Sequence, residues 1–316
     1  TDAITTNGGS VNVVADRTGV NERFLTVNRA IVTTPAPGAT AAERAGGSVR
    51  LVSGGITTNA VVAGVSNGTI TTTGQASDAG TTDTAGVGGE VLVHAQGGNA
   101  VAARNNVTLN AAITASGGAA TDGVDTSGAG GVVTVRADAG SVALHDITTS
   151  AGAGTVGTVN AGQLSLQAGT PGTSTGNTIT QTAGTALVAR GAGAAGALGS
   201  DGALKILSTG AVTLGEANEV GTLAARVTDR AAGLSYNDVN TNANTLVIDR
   251  ITSDGVLAGA AIGAVPTAAT DAITTNGGSV NVVADRTGVN ERFLAVDRAV
   301  VTTPAPGATA AERAGG

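Results

Sequence analysis

Residues 130–152 read GGVVTVRADAGSVALHDITTSAG and contain three short strand patterns in succession. These patterns are Val-x-Val-x-Ala at 133–137, Val-x-Leu at 142–144 and Ile-Thr at 147–148. Alternation of apolar and polar residues with a period of two is typical of β-strands that bury one side. The first two patterns start 9 residues apart, which is too short for a complete turn of a solenoid. We therefore expect the three patterns to form three faces of one coil of a parallel β-helix.

The Val-x-Val-x-Ala pattern recurs along the chain at intervals of 31 to 42 residues. It appears in GGSVNVVA from residue 8, GGSVRLVS from 46, GGEVLVHA from 88, AGQLSLQA from 161 and DGALKILS from 201. Such a strand cannot bury its apolar side alone, but equivalent strands of successive coils can stack about 4.8 Å apart. The inward positions are predicted to form the structural core: Val11, Val13, Val49, Leu51, Val91, Val93, Val133, Val135, Leu164, Leu166, Leu204 and Ile206. The alternating positions are predicted to face solvent: Asn12, Arg50, Thr134, Ser165 and Lys205.

The Ile-Thr pattern marks the predicted third strand of each coil. It begins at residues 4, 56, 70, 113, 147, 179, 251 and 273. Stretches rich in Gly, Ala, Ser, Thr and Asp, of varying length, separate it from the next Val-x-Val strand, at 35–46, 74–88, 117–130, 150–162 and 184–202. Because they occupy the same station in successive coils, we expect them to be loops at one edge of the rod. In repeat proteins such insertions are often the binding face.

A much longer repeat contains these coils. Residues 1–47 return as residues 270–316 with three exchanges: Thr26 to Ala295, Asn28 to Asp297 and Ile31 to Val300. Residues 1–269 are therefore interpreted as one full tandem unit and 270–316 as the start of the next, within a longer parent polypeptide. At the standard strand spacing, about seven coils per unit would rise roughly 34 Å, and the rise would double if each interval held two small coils.

Composition restricts the function classes. The 316 residues include 50 Gly, no Cys, Met or Trp, one Tyr and two Phe, so the interior must be thin and built from small branched side chains. The formal charge is −7 and no Lys/Arg cluster interleaved with aromatic residues occurs, which disfavours nucleic acid as a partner. No uninterrupted apolar run is long enough for a membrane-spanning helix.

Chemistry-bearing motifs are sparse. The two histidines, His94 and His145, lie at outward positions of their strands, where a solvated side chain is expected. No metal-ligand spacing, Ser/His/Asp arrangement, phosphate-binding Gly loop or calcium-binding nonapeptide is present in the sequence. We therefore predict no catalytic residue, no metal site and no cofactor, and we expect that the chain is not an enzyme.

Four apolar residues occupy outward positions of the Val-x-Val strands. These are Val14, Val52, Leu92 and Leu207. Stacked in adjacent coils, they would form an apolar stripe. We expect this stripe to be a lateral contact with another chain or another part of the same fibre.

The alternation of ITTxGG with short V-x-V-x-A or V-x-L strands, in a Cys-free chain rich in Gly, Ala, Thr and Asn, resembles the filamentous haemagglutinin-like exoproteins of Gram-negative bacteria. The resemblance extends over most of the chain and is one of pattern and composition. It implies a right-handed parallel β-helix, an elongated rod exported by two-partner secretion, with roles in adhesion and biofilm formation.

The expected function is thus a structural and adhesive segment of a giant extracellular or bacterial cell-surface fibre. Expected partners are neighbouring repeats of the same chain, identical chains in a fibre, and host-cell, neighbouring-cell or matrix glycans. One alternative is a self-assembling filament or sheath that packs laterally without a receptor. Another is an ice-binding or surface-binding solenoid that uses the Thr-rich strands. An array of immunoglobulin-like sandwich domains would give similar biology, but such domains need an aromatic core and a longer strand interval.

Overall fold

The computed structural model describes residues 3–15, 24–58, 68–80, 82–97, 105–154, 156–194, 197–240, 245–251, 270, 272–286 and 294–302. Within these residues the chain is all-β, apart from 3₁₀ structure at Ala41–Glu43 and at Asn105. The strands in chain order are β1 (Ile4–Thr5), β2 (Val11–Val14), β3 (Phe24–Val27), β4 (Ile31–Val32), β5 (Val49–Ser53), β6 (Gly55–Thr58), β7 (Ile70–Thr71), β8 (Val91–Ala95), β9 (Val107–Leu109), β10 (Ile113–Thr114), β11 (Val133–Ala137), β12 (Val142–Leu144), β13 (Ile147–Thr148), β14 (Leu164–Ala168), β15 (Ile179–Gln181), β16 (Leu187–Val188), β17 (Gly193–Ala194), β18 (Ala197–Leu198), β19 (Ala203–Ser208), β20 (Val212–Asn218), β21 (Thr222–Arg230), β22 (Leu234–Asn240), β23 (Leu246–Ile248), β24 (Ile273–Asn276), β25 (Val280–Arg286), β26 (Leu294–Val296) and β27 (Val300–Val301).

The strands form three parallel sheets, and each coil of the chain contributes to them in turn. The Ile-Thr sheet has the order β1-β4-β7-β10-β13-β16, and the Val-x-Leu sheet has the order β3-β6-β9-β12-β15-β20-β22-β25. The Val-x-Val sheet runs β2-β5-β8-β11-β14-β19-β21 and then divides, with β23 and β26 on one branch and β24 and β27 on the other. The short hairpin β17–β18 is antiparallel and forms a separate pair. The prediction of an all-β parallel β-helix is confirmed.

Register places like residues on like residues along the axis. In the Val-x-Val sheet, Val49 pairs with Val91, Val91 with Val133 and Val133 with Leu164. Ten of the twelve predicted core residues are buried in one continuous hydrophobic core. The other two, Val11 and Val13, are partly buried and pack against this core, because β2 is the first strand of its sheet and has β5 as its described neighbour. Stacked apolar side chains and parallel hydrogen bonds therefore hold the coils together.

The Ile-Thr pattern does not always mark the same sheet. Ile56 and Ile179 lie in β6 and β15, which pair within the Val-x-Leu sheet, so the expectation of one face for all Ile-Thr segments was wrong. Ile56 and Thr58 are both buried, so this segment follows the same inward alternation as Val-x-Leu. In the corresponding coils the Ile-Thr sheet is built by Ile70 and Leu187 instead. Sequence alone could not separate two patterns that bury the same kind of residue at the same spacing.

The outward side of the Val-x-Val sheet is more covered than predicted. Asn12 is exposed and Thr134 is half-buried, but Arg50, Ser165 and Lys205 are buried. Each of these three makes a polar or electrostatic contact, as a buried polar group requires. The prediction of a solvated face was therefore wrong for these positions. Long side chains can place their alkyl stems on the sheet while their polar heads find partners.

The predicted lateral stripe does not form. Val14 is 40% exposed, but Val52 is 1% exposed and so offers no surface to another chain. Leu92 and Leu207 are half-buried and occupy different rows of the sheet. Leu92 pairs with Arg50, and the row of Leu207 contains polar neighbours, such as Gln167, that interrupt any apolar path. The outward side of this sheet is a mixed polar surface.

The second tandem unit continues the coil of the first. Its strand β24 pairs with β21, and its strand β25 pairs with β22. Strand β26 pairs with β23, and β27 pairs with β24. Backbone hydrogen bonding thus crosses the boundary, and the first strands of the second unit extend the β-helix of the first.

Candidate functional site: the loop edge

Five insertions lie at the corner between the Ile-Thr sheet and the Val-x-Val sheet, and together we call them the loop edge. They comprise residues 33–48, 72–90, 115–132, 149–163 and 189–202, of which 81, 155 and 195–196 fall outside the described residues. We number these insertions 1 to 5. They coincide closely with the stretches predicted to be loops at one edge. The exception is the start of the last predicted stretch, where residues 184–186 precede β16 and residues 187–188 form it.

The insertions stack on one another instead of projecting separately. The amide of Gln75 in insertion 2 donates to the carbonyl of Arg44 in insertion 1, at 2.8 Å. The amide of Gly118 in insertion 3 donates to the carbonyl of Gly86 in insertion 2, also at 2.8 Å. Gly152 in insertion 4 donates in the same way to Gly128 in insertion 3, at 2.9 Å. The loop edge is therefore a second hydrogen-bonded stack beside the three sheets.

Glycine is required where these backbones approach each other. A methyl group at Gly86 would collide with the carbonyl of Arg44, and one at Gly128 would collide with the carbonyl of Gly86. A methyl group at Gly152 would meet the carbonyl of Gly118 in the same way. The abundance of glycine in the insertions therefore reflects close backbone packing, which only a residue without Cβ permits, rather than a need for flexible linkers.

Arg44 ties insertion 1 to insertion 2. Its side chain is 2% exposed, and its guanidinium donates to the carboxylates of Asp83 and Asp78, the latter at 2.5 Å. It also donates to the carbonyl oxygens of Ala39 and Thr84, at 3.3 and 3.2 Å. The hydrogen bond to Asp83 is the main reason that the pKa of Arg44 is raised, and the same bond lowers the pKa of Asp83. A buried guanidinium with several acceptors fixes one geometry for the two insertions.

Asp125 ties insertion 2 to insertion 3. Its carboxylate is fully buried and accepts hydrogen bonds from the Ser77 hydroxyl at 2.5 Å, the Asp83 amide at 3.0 Å and the Thr121 hydroxyl at 3.1 Å. The Ser77 hydrogen bond is the largest cause that lowers the pKa of Asp125. Asp83 thus links the Arg44 and Asp125 contacts, and the polar network runs through three successive insertions.

Acid is expected to weaken this network. The folded-state pKa values of Asp83 and Asp125 are lowered, so these carboxylates stabilise the fold above the ordinary Asp pKa of about 3.9, and that contribution is lost as pH falls through their folded values. We expect the thermal unfolding midpoint to decrease as the pH is lowered from about 5 to about 2. In Asp125→Asn the midpoint should already be lower at neutral pH, and it should decrease less over the same range. Thermal scans of both proteins across this range test the prediction, and equal pH dependence would contradict it.

The outer surface of the loop edge combines exposed valines with acidic and hydroxyl groups. Insertions 2, 3 and 4 each expose one valine, respectively Val87, Val124 and Val156. The carboxylate of Asp78 is also exposed, and Asp122 caps the Gly80 amide at 2.8 Å. A cleft of about 290 Å³ opens at insertion 1, between Asn7, Ala36, Pro37, Gly38, Ala39 and Glu43. Over the described residues of the loop edge, this surface therefore offers shallow contacts of mixed apolar and polar character.

Both histidines lie beside a carboxylate. His94 is 5% exposed, and its Nε2 lies 2.9 Å from Asp138, so the prediction of a solvated side chain was wrong for His94. Burial raises the pKa of Asp138, but the hydrogen bonds from His94 and Arg136 outweigh it and leave the pKa lowered. His145 is partly exposed and lies 3.0 Å from Asp146. His94 lies in β8, whereas His145 lies in the connection between β12 and β13, and each histidine has a carboxylate as its neighbour.

A few observations bear on other site classes. Within the described ranges, no group of three or more His, Cys, Asp or Glu side chains is arranged to hold a metal ion. Helices in the same ranges all fall short of the length and apolar character needed to cross a bilayer. Comparison of the chain with protein-family models, with curated proteins and with solved structures found no match.

Proposed function

We propose that this chain is a structural and adhesive repeat segment of a giant bacterial fibre, located outside the cell, with the β-helix as a stiff spacer and the loop edge as its contact surface. The observation that carries this proposal is the pairing of β24 and β25, which belong to the second tandem unit, with β21 and β22 of the first. An array joined in this way gains length with each added unit and repeats the same surface along it.

The loop edge supports the adhesive part of the proposal. Its insertions are held in a fixed arrangement by the Arg44 and Asp125 contacts, while Val87, Val124 and Val156 remain exposed. A contact surface that is already ordered loses little conformational entropy on binding. Many weak copies along one fibre then add up through avidity. The proposed partners are glycans of host cells, neighbouring cells or matrix, and the proposed segment has no catalytic role.

The Ile-Thr sheet gives less support to an ice-binding or surface-binding role. Its outward row presents threonine in three consecutive strands, at Thr71, Thr114 and Thr148, and valine in the strands on either side, at Val32 and Val188. All five are half-buried. A flat and extended hydroxyl array would need a longer threonine run and greater exposure. We therefore place the contact surface at the loop edge.

Rod length tests the spacer role. Proteins with one, two and three tandem units should lengthen by roughly 34 Å per unit in small-angle scattering, with a constant cross-section, because about seven coils stack at the standard strand spacing. Globular beads that are free to bend at each boundary would contradict the continuous spacer.

Binding tests the adhesive role. A variant with Val87, Val124 and Val156 all changed to serine should keep its fold and lose binding to cells or to a glycan array, and three-unit proteins should show the loss most strongly. The matched control changes Thr180 and Thr213, which are exposed on the Val-x-Leu sheet, to alanine. Unchanged binding by the valine variant would refute the loop edge as the contact surface. Polymerisation of purified units without any binding would favour the self-assembling filament instead.

A further inference from the structure

The same sequence occupies different faces of the β-helix in successive units. In the first unit, the strand VNVV at β2 lies in the Val-x-Val sheet, where Val11 pairs with Val49. Its copy in the second unit, β25, lies in the Val-x-Leu sheet, where Val280 pairs with Leu234. The same four residues therefore belong to the Val-x-Val sheet in the first unit and stack on the Val-x-Leu sheet in the second.

The copies of the neighbouring strands also stack on other columns than their first-unit counterparts. Strand β1 lies in the Ile-Thr sheet and pairs with β4, but its copy β24 stacks on β21, in the Val-x-Val sheet. Strand β3 lies in the Val-x-Leu sheet and pairs with β6, but its copy β26 stacks on β23. Strands β24, β25 and β27 are thus shifted by one face relative to the first unit, in the order in which the chain visits the faces, while β26 stacks through β23 on the first residues of β21.

The long strand β21 accommodates the shift. It spans nine residues, and two strands of the next coil pair with different parts of it. Thr222 and Leu223 pair with β23, while Ala225 and Arg226 pair with β24. Just before β21, the Ile-Thr face is reduced to a single bridge between Val188 and Glu219. The Ile-Thr face is short at Glu219, and the β21 strand that follows is long enough to pair with both β23 and β24. One coil thus holds an additional strand, and the following unit begins one face further on.

We infer that successive units are turned by about one third of a revolution, so that consecutive loop edges project from the three corners of the rod in turn. In an array of such units the shift recurs at each boundary, and the fourth loop edge faces the same way as the first, about 100 Å along the axis at the standard strand spacing. The turn between units extends the proposed adhesive role, and its biological significance depends on that proposed function. The surface fits partners distributed around the fibre, such as a surrounding glycan matrix, rather than a single flat surface on one side.

Disulfide trapping tests the turn directly, because the chain has no cysteine of its own. Residues paired across adjacent parallel strands lie about 5 Å apart at Cα, within the range that a disulfide spans. In the turned arrangement Asn237 pairs with Val283, and Arg226 pairs with Thr274. Without the turn, Val283 would follow its first-unit copy Val14 into the row whose last first-unit residue is Arg226, and it would pair with Arg226.

Three double variants separate the two arrangements. On mild oxidation, Asn237→Cys/Val283→Cys and Arg226→Cys/Thr274→Cys should form an intramolecular disulfide in more than about nine tenths of the molecules, because each pair is held in register. Arg226→Cys/Val283→Cys should stay reduced, although both of its cysteines react in the other two variants. Peptide mapping by mass spectrometry measures each bond. A disulfide in the third variant, or none in the first two, would overturn the inference, and neither result depends on whether the fibre binds anything.

Discussion

Changing Val135 to aspartate is expected to open the β-helix in the middle of the chain. Val135 is fully buried and pairs with Val93 on one side and Leu166 on the other, so a carboxylate there would be enclosed by apolar side chains. An unpaired buried charge, added to the lost apolar contacts, should cost at least about 4 kcal/mol of unfolding free energy. Val93→Asp places the same charge one coil away and should behave alike.

A matched control puts the same charge on the outside of a strand. Thr180 lies in β15 and is exposed, so Thr180→Asp should change the unfolding free energy by no more than about 0.5 kcal/mol. Urea unfolding followed by circular dichroism measures the difference. The chain has one tyrosine, Tyr236, which is buried several coils away, so its fluorescence shows whether the damage stays local. Equal midpoints for the two variants would refute the inward assignment of Val135.

Adding one methyl group at Gly128 is expected to disrupt the loop edge. Its Cβ would collide with the carbonyl of Gly86 and crowd the amide of Gly118, neither of which can move without breaking the stack. Overpacking against backbone should lower the unfolding free energy of Gly128→Ala by about 3 kcal/mol. Hydrogen exchange should be fastest at the amides of Gly118 and Gly152, whose hydrogen bonds join this insertion to its neighbours.

Gly123 provides the comparison within the same insertion. A Cβ at Gly123 meets nothing within 4 Å, and the backbone there is not in the left-handed region. Gly123→Ala should therefore leave stability within about 0.5 kcal/mol of the parent, or raise it slightly by restricting the unfolded chain. If both alanine variants behave alike, the glycines of the insertions serve flexibility and not close packing.

Periodicity was sufficient to predict the architecture. Val133 and Val135 follow a period of two, and the recurrence of that pattern at intervals far shorter than a domain predicts stacking of like strands. The same reasoning could not assign Ile56 and Ile179 to a sheet, because Ile-x-Thr and Val-x-Leu bury equivalent positions. Face assignment depends on where each coil turns, which is a tertiary property.

The polar contacts were harder to predict. Arg44, Asp83 and Asp125 lie far apart in the sequence, in stretches that lack a strand pattern, and only the stacking of insertions brings them together. A signal was nevertheless present, since Arg44 and Asp83 are among the few charged residues in stretches of mostly small side chains. For His94, an outward strand position suggested solvent, but neighbouring coils supply Asp138 and cover the ring. An outward strand position in a solenoid can therefore be buried when a neighbouring coil supplies a partner for it.

The boundary between units also constrains how such a gene can change length. The first strands of the second unit dock on β21, β22 and β23, which belong to the unit before it. Any copy that keeps both ends can follow any other, so unequal recombination between near-identical stretches adds or deletes whole copies without disturbing the join. Loss of part of a copy would leave the first strands of the next copy without the equivalents of β21, β22 and β23 on which they pair. In the proposed fibre, length would therefore change in steps of 269 residues, and with the inferred turn between units each step would change the direction in which the tip faces.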